Sequence, residues 1–302
     1  RSGSWRIAAL MLALAGLMSS NNLLVRTQIW AFLPFIITFS LLSRYEDGQL
    51  RPAWLISCPI LMIFWVNLHG SFVLGLGLVG IFLFGNLLRH LLKHPLALSK
   101  RRLAWLAAVG GLSVVSILAN PRFASILSYV NKLLTDPPSQ KLIEEWQSPT
   151  PGGLANTVFF ISIVFLLGAL AYTKQRQSPT NLLLIAGFLW LAWSGQRYVI
   201  WYGMIAMPVL AQIISSIKID IPHLTPTRNW INLLIAIIIF IPVILVQPWL
   251  VERFPLPDTY WSQTQNDPEV GVLLSTRTPI GAARYLQTKP GGRLYNELGY
   301  GS

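Results

Sequence analysis

The stretch WVNLHGS (65–71) interrupts the most apolar part of the chain. Between residues 53 and 88, His69 carries the only acidic or basic side chain. A single helix over 53–88 would be about 54 Å long, whereas the hydrocarbon core of a membrane is about 30 Å thick. The stretch therefore predicts a forced break between two helices. We expect Gly70 to permit the turn, and Asn67 and Ser71 to cap exposed backbone groups.

The composition around this break is that of a membrane protein. Of the 302 residues, 53% are hydrophobic and 11% are charged, and the mean hydropathy is +0.54. Soluble domains carry roughly 25% charged residues. The apolar runs predict an all-α polytopic membrane protein with about nine transmembrane helices. These nine runs span 5–20, 29–43, 53–67, 71–88, 103–119, 154–172, 181–194, 198–215 and 230–247.

The distribution of basic residues predicts the orientation. With the N-terminus in the cytoplasm, 13 of the 23 Lys and Arg residues fall in inside segments, 5 in outside loops and 5 in the tail. The positive-inside rule therefore favours an N-in, C-out arrangement. The net charge of +12 is then explained by contact with anionic membrane lipid, so we do not expect a nucleic-acid partner.

The chain divides into two predicted parts. Residues 1–247 form the transmembrane domain, with an extracytoplasmic loop at 120–153. Residues 248–302 are expected to begin a small extracytoplasmic α/β domain. In it, TPIGAARYLQ (278–287) predicts a helix and GGRLYNELGYGS (291–302) predicts a strand and a turn. Because the chain begins at Arg1 and stops within a Gly-rich turn, we expect an internal fragment of a longer protein.

The outer loop 120–153 contains the main acidic candidates. NPRF (120–123) begins the loop, and an amphipathic helix lying on the membrane is predicted by apolar residues at helical spacing, namely Phe123, Ile126, Leu127, Val130, Leu133 and Leu134. Glu144 and Glu145 then precede Trp146. One interpretation is a solvated acidic pair with Trp146 as an interfacial anchor. The other makes one glutamate a catalytic base or a metal ligand.

Two further polar breaks face the same side. Arg197 lies in SGQR (194–197), where it is either an interfacial anchor or a ligand of lipid phosphate, whose oxygens suit the guanidinium fork. Arg122 and Arg26 are weaker candidates for the same role. His69 is either a proton carrier or a hydrogen-bonding pin in the turn. Together these breaks predict a shared extracytoplasmic surface.

Several motifs resemble bacterial polytopic proteins of the GT-C glycosyltransferase superfamily type. They are WVNLHGSFVLGL (65–76), LANPRF (118–123), EEWQSP (144–149), and QRY (196–198) followed by AMPVLA (206–211). The resemblance implies a multi-pass protein of the bacterial inner (plasma) membrane. It also implies transfer of a sugar from a polyprenyl-phosphate carrier at the extracytoplasmic face.

The same resemblance places the main catalytic carboxylate in the first outward loop. The loop at 21–28 has no Asp or Glu, so we expect that carboxylate upstream of this fragment. A second departure is RTQ (26–28), where the family pattern leads us to expect Arg-Pro-Gln. The cofactor is left open, with a divalent cation as one option. The alternative functions are a transporter or flippase-like carrier, and a non-catalytic partner in envelope polysaccharide assembly.

Overall fold

A computed structural model describes residues 5–22, 27–174, 176–217, 237, 264–266, 273–275 and 280–288. The chain forms two compact units, Arg1–Ile219 and Asp220–Ser302. The helices of the first unit are α1 (Trp5–Met18), α2 (Ile29–Glu46), α3 (Ser57–Leu68), α4 (Phe72–Leu91), α5 (Lys100–Val115), α6 (Ser125–Leu134), α7 (Pro137–Leu142), α8 (Gly153–Tyr172), α9 (Pro179–Ser194) and α10 (Val199–Ser216). Short 3-10 turns occupy Ser20–Asn22, Pro52–Ile56, Ser116–Ala119, Glu144–Trp146 and Gln196–Tyr198.

Four helical segments are long and apolar enough to cross a membrane, which indicates a membrane protein. They are Phe72–Leu91, Lys100–Ala119, Gly153–Tyr172 and Gln196–Ser216. Three other apolar helices are shorter: Trp5–Met18, Pro52–Leu68 and Pro179–Ser194. Eight of the nine predicted runs are helical over most of their length. The ninth, 230–247, lies outside the described residues except for Ile237, which is helical.

The flanks of these helices carry large apolar side chains that the protein does not cover. Leu12, Trp30, Val164 and Trp190 are each more than 70% exposed. Exposed apolar surface of this kind is costly in water but matches a hydrocarbon solvent. The exposure pattern therefore agrees with the apolar composition of the helices.

The interior is built around aromatic contacts. Phe35 of α2 is fully buried and meets Trp65, Phe188 and Trp201 edge to face, with ring centroids 6.2, 5.5 and 4.8 Å apart. Around this centre α10 packs against α1 and α9, and α4 packs against α5 and α9. These contacts hold the helix ends in fixed positions relative to one another.

The predicted break at WVNLHGS is present, but its details differ from the expectation. α3 ends at Leu68 and α4 begins at Phe72. Ser71 makes no side-chain cap; its Oγ instead accepts a hydrogen bond from Trp65 Nε1 at 3.1 Å. Gly70 does not have a positive φ, so the turn does not need a glycine for its backbone conformation. Asn67 Nδ2 donates to the carbonyl of Ile63 within α3 at 2.8 Å and to that of Ala119 at 3.4 Å, whereas the carbonyl of Val66 in the last turn of α3 is capped by Asn120.

Polar residues collect at the two ends of the helices. We call the end near the His69 turn the Arg197 end, and the opposite end the Glu46 end. α4 starts at the Arg197 end and reaches Arg89, which forms an ion pair with Glu46. Its 20 residues correspond to a length of about 30 Å. The two polar ends are therefore separated by roughly the thickness of a hydrocarbon core.

The loop 120–153 contains the predicted helix. α6 covers Ser125–Leu134, and Ile126 and Val130 are buried on one of its faces. Phe123 is not part of the helix, because it has φ 46° and precedes the first turn. The amphipathic pattern thus predicted the helix but placed its start too early.

In the second unit the structure describes a short hairpin and a helix. β1 (Thr264–Asn266) pairs antiparallel with β2 (Leu273–Ser275), in the register Thr264↔Ser275. The helix α11 (Ile280–Gln287) lies where TPIGAARYLQ predicted one. The strand predicted in 291–302 lies outside the described residues.

Candidate functional site

Two polar turns from distant parts of the sequence meet at the Arg197 end. The backbone N–H of Gln196 donates to the carbonyl of Gln147 at 2.9 Å. Asn22, just after α1, donates from Nδ2 to the carbonyl of Gln196 at 3.2 Å. The turn at Gln196–Tyr198 is therefore fixed between the end of α1 and the turn at Glu144–Trp146.

The close approach of these turns depends on Gly195. A Cβ at this position would lie 3.1 Å from the carbonyl oxygen of Trp146 and 3.2 Å from the ring of Tyr198. Such distances are shorter than ordinary van der Waals contact. Because Gly195 has an extended backbone with φ −174°, the requirement is for space rather than for an unusual conformation.

The guanidinium of Arg197 is held by ring contacts and a loose ion pair. Its Cζ lies 4.0 Å from the centroid of the Trp146 ring and 5.7 Å from that of Tyr198. Nη1 lies 3.9 Å from Oε1 of Glu145, which is too far for a hydrogen bond. Among the described residues, no group accepts a hydrogen bond from this guanidinium. The Arg197 side chain is only 17% exposed, so its position is well defined. Its N–H groups nevertheless make no hydrogen bond to these residues.

The structure separates the two predicted glutamates. The side chain of Glu145 faces Arg197 and is 33% exposed. Glu144 is exposed, and its backbone carbonyl accepts hydrogen bonds from the Gln147 N–H and from Gln196 Nε2. Glu145 is therefore the acidic residue that shares a site with Arg197, and Glu144 borders it.

His69 lies in the α3–α4 turn with a defined hydrogen-bonding pattern. Its Nδ1 accepts the backbone N–H of Ser71 at 3.1 Å and lies 2.9 Å from the Ser71 hydroxyl oxygen. Because a backbone N–H can only donate, Nδ1 must hold a lone pair, and the neutral ring carries its proton on Nε2. Burial lowers the pKa of His69, and the positive charge of Arg197 lowers it further.

This arrangement decides what His69 can do. Its Nδ1 pins the turn, as one of the two sequence interpretations expected. In the neutral form its Nε2–H is a hydrogen-bond donor rather than a base. The positive charge of Arg197 contributes to lowering the pKa of His69, so the two side chains interact electrostatically. We refer to His69, Glu145, Trp146 and Arg197 as the Arg197 site.

The segment NPRF (120–123) forms hydrogen bonds with the end of α3, but Arg122 contacts Tyr129 rather than Arg197. Asn120 donates from Nδ2 to the carbonyl of Val66 and to Oδ1 of Asn67, each at 3.1 Å. The guanidinium of Arg122 instead lies over the ring of Tyr129, 5.0 Å from its centroid. Arg26, the third predicted phosphate ligand, lies outside the described residues.

Sequence reasoning missed the specific partners at this site. Trp146 was interpreted as an interfacial anchor, whereas it is the aromatic platform for Arg197. Asn22 was not singled out at all. No local pattern carries this information, because each partner comes from a different helix end.

Within the part of the chain that is described, no group of three or more His, Cys, Asp or Glu residues could hold a metal ion. Comparison of the chain with protein-family models, with curated proteins and with solved structures finds no match. The functional argument therefore depends on the residues and geometry of the Arg197 site.

Proposed function

We propose that this chain belongs to an integral-membrane glycosyltransferase that takes a sugar from a polyprenyl-phosphate carrier. In this proposal it is a multi-pass protein of a bacterial inner membrane, with nine spans, a cytoplasmic N-terminus and an extracytoplasmic Arg197 end. Four apolar helices and the excess of basic residues in the predicted inside segments support this arrangement.

The proposal depends mainly on the position and contacts of the Arg197 guanidinium. Its guanidinium stands at the end of a candidate span, is stacked on Trp146, and donates no hydrogen bond to the described residues. Arginine so placed is suited to the oxygens of a phosphate, because its N–H groups form a planar fork. A phosphate carried by a membrane lipid would reach the protein at this level.

The proposed reaction replaces one bond at the anomeric carbon. The bond between that carbon and the phosphate oxygen of the donor breaks, and a bond to an acceptor hydroxyl oxygen forms. The hydroxyl proton passes to a carboxylate, and the electron pair of the broken bond remains on the leaving polyprenyl phosphate. Arg197 and the Nε2–H of His69 would stabilise the charge on that leaving group.

The roles of the acidic residues follow from their positions. Glu145 would balance Arg197 before the donor binds, and the donor phosphate would then compete for the same guanidinium. Glu144, which is exposed beside it, is a candidate proton acceptor together with Glu145. The resemblance places the main catalytic carboxylate in the first outward loop, and the loop at 21–28 has no Asp or Glu. Arg122 and Arg26 remain candidates for further phosphate contacts, and a divalent cation remains one option for the cofactor.

The proposal is tested with the full-length protein in lipid nanodiscs. The assay mixes it with polyprenyl-phosphate-linked sugars and a panel of hydroxyl-bearing acceptors, and follows release of polyprenyl phosphate. Release that depends on the protein supports the proposal. If folded protein releases none from any polyprenyl-phosphate sugar of a broad panel, the proposal is wrong.

A second candidate function is a membrane carrier. The observation that favours it is the buried ion pair between Arg89 and Glu46, whose side chains are 6% and 3% exposed. Ionisable groups within a membrane domain often mark transport pathways. The pair lies near the ends of α2 and α4 rather than at their middle, so we place this function second.

A further inference from the structure

A polar cavity of about 440 Å³ lies at the Glu46 end, at the far end of α4 from the Arg197 site. It is bordered by the last turns of α2 and α4 and by the first turns of α5 and α9. Cavities of this size hold small ligands or lipid headgroups. The role proposed above for the chain does not use this cavity.

The floor of the cavity is a buried ion pair with fixed geometry. Arg89 Nη2 lies 3.1 Å from Oε1 of Glu46. The same oxygen accepts hydrogen bonds from Asn86 Nδ2 at 2.9 Å and Thr180 Oγ1 at 2.6 Å. Glu46 is thus strongly solvated by the protein, and its negative charge is balanced by Arg89.

One wall carries a side-chain amide that makes no hydrogen bond within the described residues. Asn181 is 5% exposed and lines the cavity. Its backbone N–H donates to Ser178 Oγ at 3.1 Å, but its side chain makes no hydrogen bond to any residue that the structure describes. This amide can therefore bond a polar ligand in the cavity. Arg102, which also lines the cavity, has a buried Nε with no hydrogen-bond partner among the described residues, and a buried donor in this state is unfavourable unless a polar ligand satisfies it.

The remaining walls provide positive charge and hydrogen-bond donors. Arg102 and Arg176 line the cavity. Arg102 is oriented by the ring of Tyr45, 4.3 Å from its Cζ, and by a hydrogen bond to the carbonyl of the same residue. His94 accepts the backbone N–H of Leu96 at its Nδ1, so in the neutral ring Nε2 carries the proton. These groups can all donate to an anion.

Two helix N-termini add to this positive potential. α5 and α9 begin beside the cavity, with Ser99 and Ser178 as their N-caps. The N-terminal end of a helix carries a partial positive charge and favours anions. Of the described residues that line the cavity, Asp47 and the paired Glu46 are acidic, and Arg102 and Arg176 outnumber Asp47.

We propose that this cavity binds a phosphate group, with Asn181, Arg102 and Arg176 as its ligands. The phosphate comes either from a small soluble compound or from the headgroup of an anionic lipid. In both cases the planar guanidinium groups match the phosphate oxygens. This inference does not depend on the proposed transferase activity.

The test compares two variants of the full-length protein in phosphatidylcholine nanodiscs. Arg176→Gln removes an exposed cavity cation, and Lys174→Gln removes an exposed cation of the same connection that does not line the cavity. Thermal unfolding is followed while inorganic phosphate is titrated at constant ionic strength. In a second arm, part of the lipid is replaced by phosphatidylglycerol.

A soluble phosphate ligand predicts that inorganic phosphate raises the melting temperature. Arg176→Gln should then weaken the apparent affinity about tenfold, as expected for one charge-assisted hydrogen bond, and Lys174→Gln should leave it unchanged. A lipid ligand predicts no effect of free phosphate but stabilisation by phosphatidylglycerol, which should be weakened in Arg176→Gln and unchanged in Lys174→Gln. Absence of stabilisation in both arms, or equal loss in the two variants, would overturn the proposal.

Discussion

The guanidinium carbon of Arg197 lies 4.0 Å from the centre of the Trp146 ring, although the two residues belong to separate turns. Oε1 of Glu145, the residue before Trp146, lies 3.9 Å from Nη1 of Arg197. The loop 120–153 thus contacts the flat face of the guanidinium through Trp146, and the guanidinium N–H groups make no hydrogen bond to the described residues. This is the geometry expected of a positioned anion ligand rather than of a side chain that reaches into solvent.

Replacing Trp146 should weaken donor binding if the ring positions Arg197. Because a cation–π contact contributes about 0.5–2 kcal/mol, we expect Trp146→Leu to raise the KM for the lipid-linked donor about 2- to 30-fold. Trp146→Phe keeps an aromatic face and should show a smaller effect. Equal KM values in both variants and the parent would show that the ring does not position Arg197.

Gly195→Ala should destabilise the protein by bringing a methyl group against the Trp146 carbonyl. We expect a loss of about 1–3 kcal/mol, typical of overpacking, measured as a lower midpoint of thermal unfolding. Gly168→Ala is the matched control, since a Cβ there meets no atom within 4 Å. Should the two variants unfold at the same temperature, the close approach at Gly195 would not matter for stability.

Stability should depend on pH through His69. Its folded-state pKa is lowered by burial and by Arg197, so the unfolded chain binds its proton more readily. The associated stability is complete above the unfolded pKa of about 6.5 and is lost as the pH falls through the folded pKa.

The control for this effect is His69→Asn. The Asn side-chain oxygen can accept the Ser71 N–H but does not titrate in this range. Its unfolding midpoint should therefore fall less than that of the parent between about pH 7 and pH 5. The other three histidines are the same in both proteins. Parallel pH profiles would contradict the role assigned to His69.

Cysteine labelling tests the predicted orientation. In a Cys58→Ala background, Ser148→Cys and Lys174→Cys place single thiols at exposed positions beside the Arg197 end and the Glu46 end. A membrane-impermeant maleimide should label position 148 in intact spheroplasts and position 174 only after permeabilisation. The reverse pattern, or labelling of both in intact spheroplasts, would contradict an N-in, C-out arrangement.

Helices and breaks could be predicted from the sequence because they depend on local apolar runs and their length. The break at His69, the helix after NPRF and α11 were all expected from such patterns. The stacking of Arg197 on Trp146 could not be predicted, since it depends on how separate helix ends are packed.

The sequence also did not predict the ion pair and the cavity at the Glu46 end. The sequence placed Glu46 and Arg89 in inside connections, beyond the predicted spans, whereas they form a buried ion pair within the helical unit. Hydropathy locates charged residues relative to apolar runs but does not indicate which of them pair. The cavity beside this pair could not be predicted either, because its walls come from four separate helix ends.

The most direct test of the central claim is donor turnover by Arg197→Gln in the full-length protein. If the guanidinium stabilises the leaving phosphate, kcat/KM for polyprenyl-phosphate sugar should fall about a hundredfold, while the protein remains folded. Lys132→Gln removes an exposed cation of the same loop and should change the rate by less than about twofold. Unchanged turnover in Arg197→Gln, or an equal loss in the two variants, would contradict the assignment of Arg197 as the phosphate ligand.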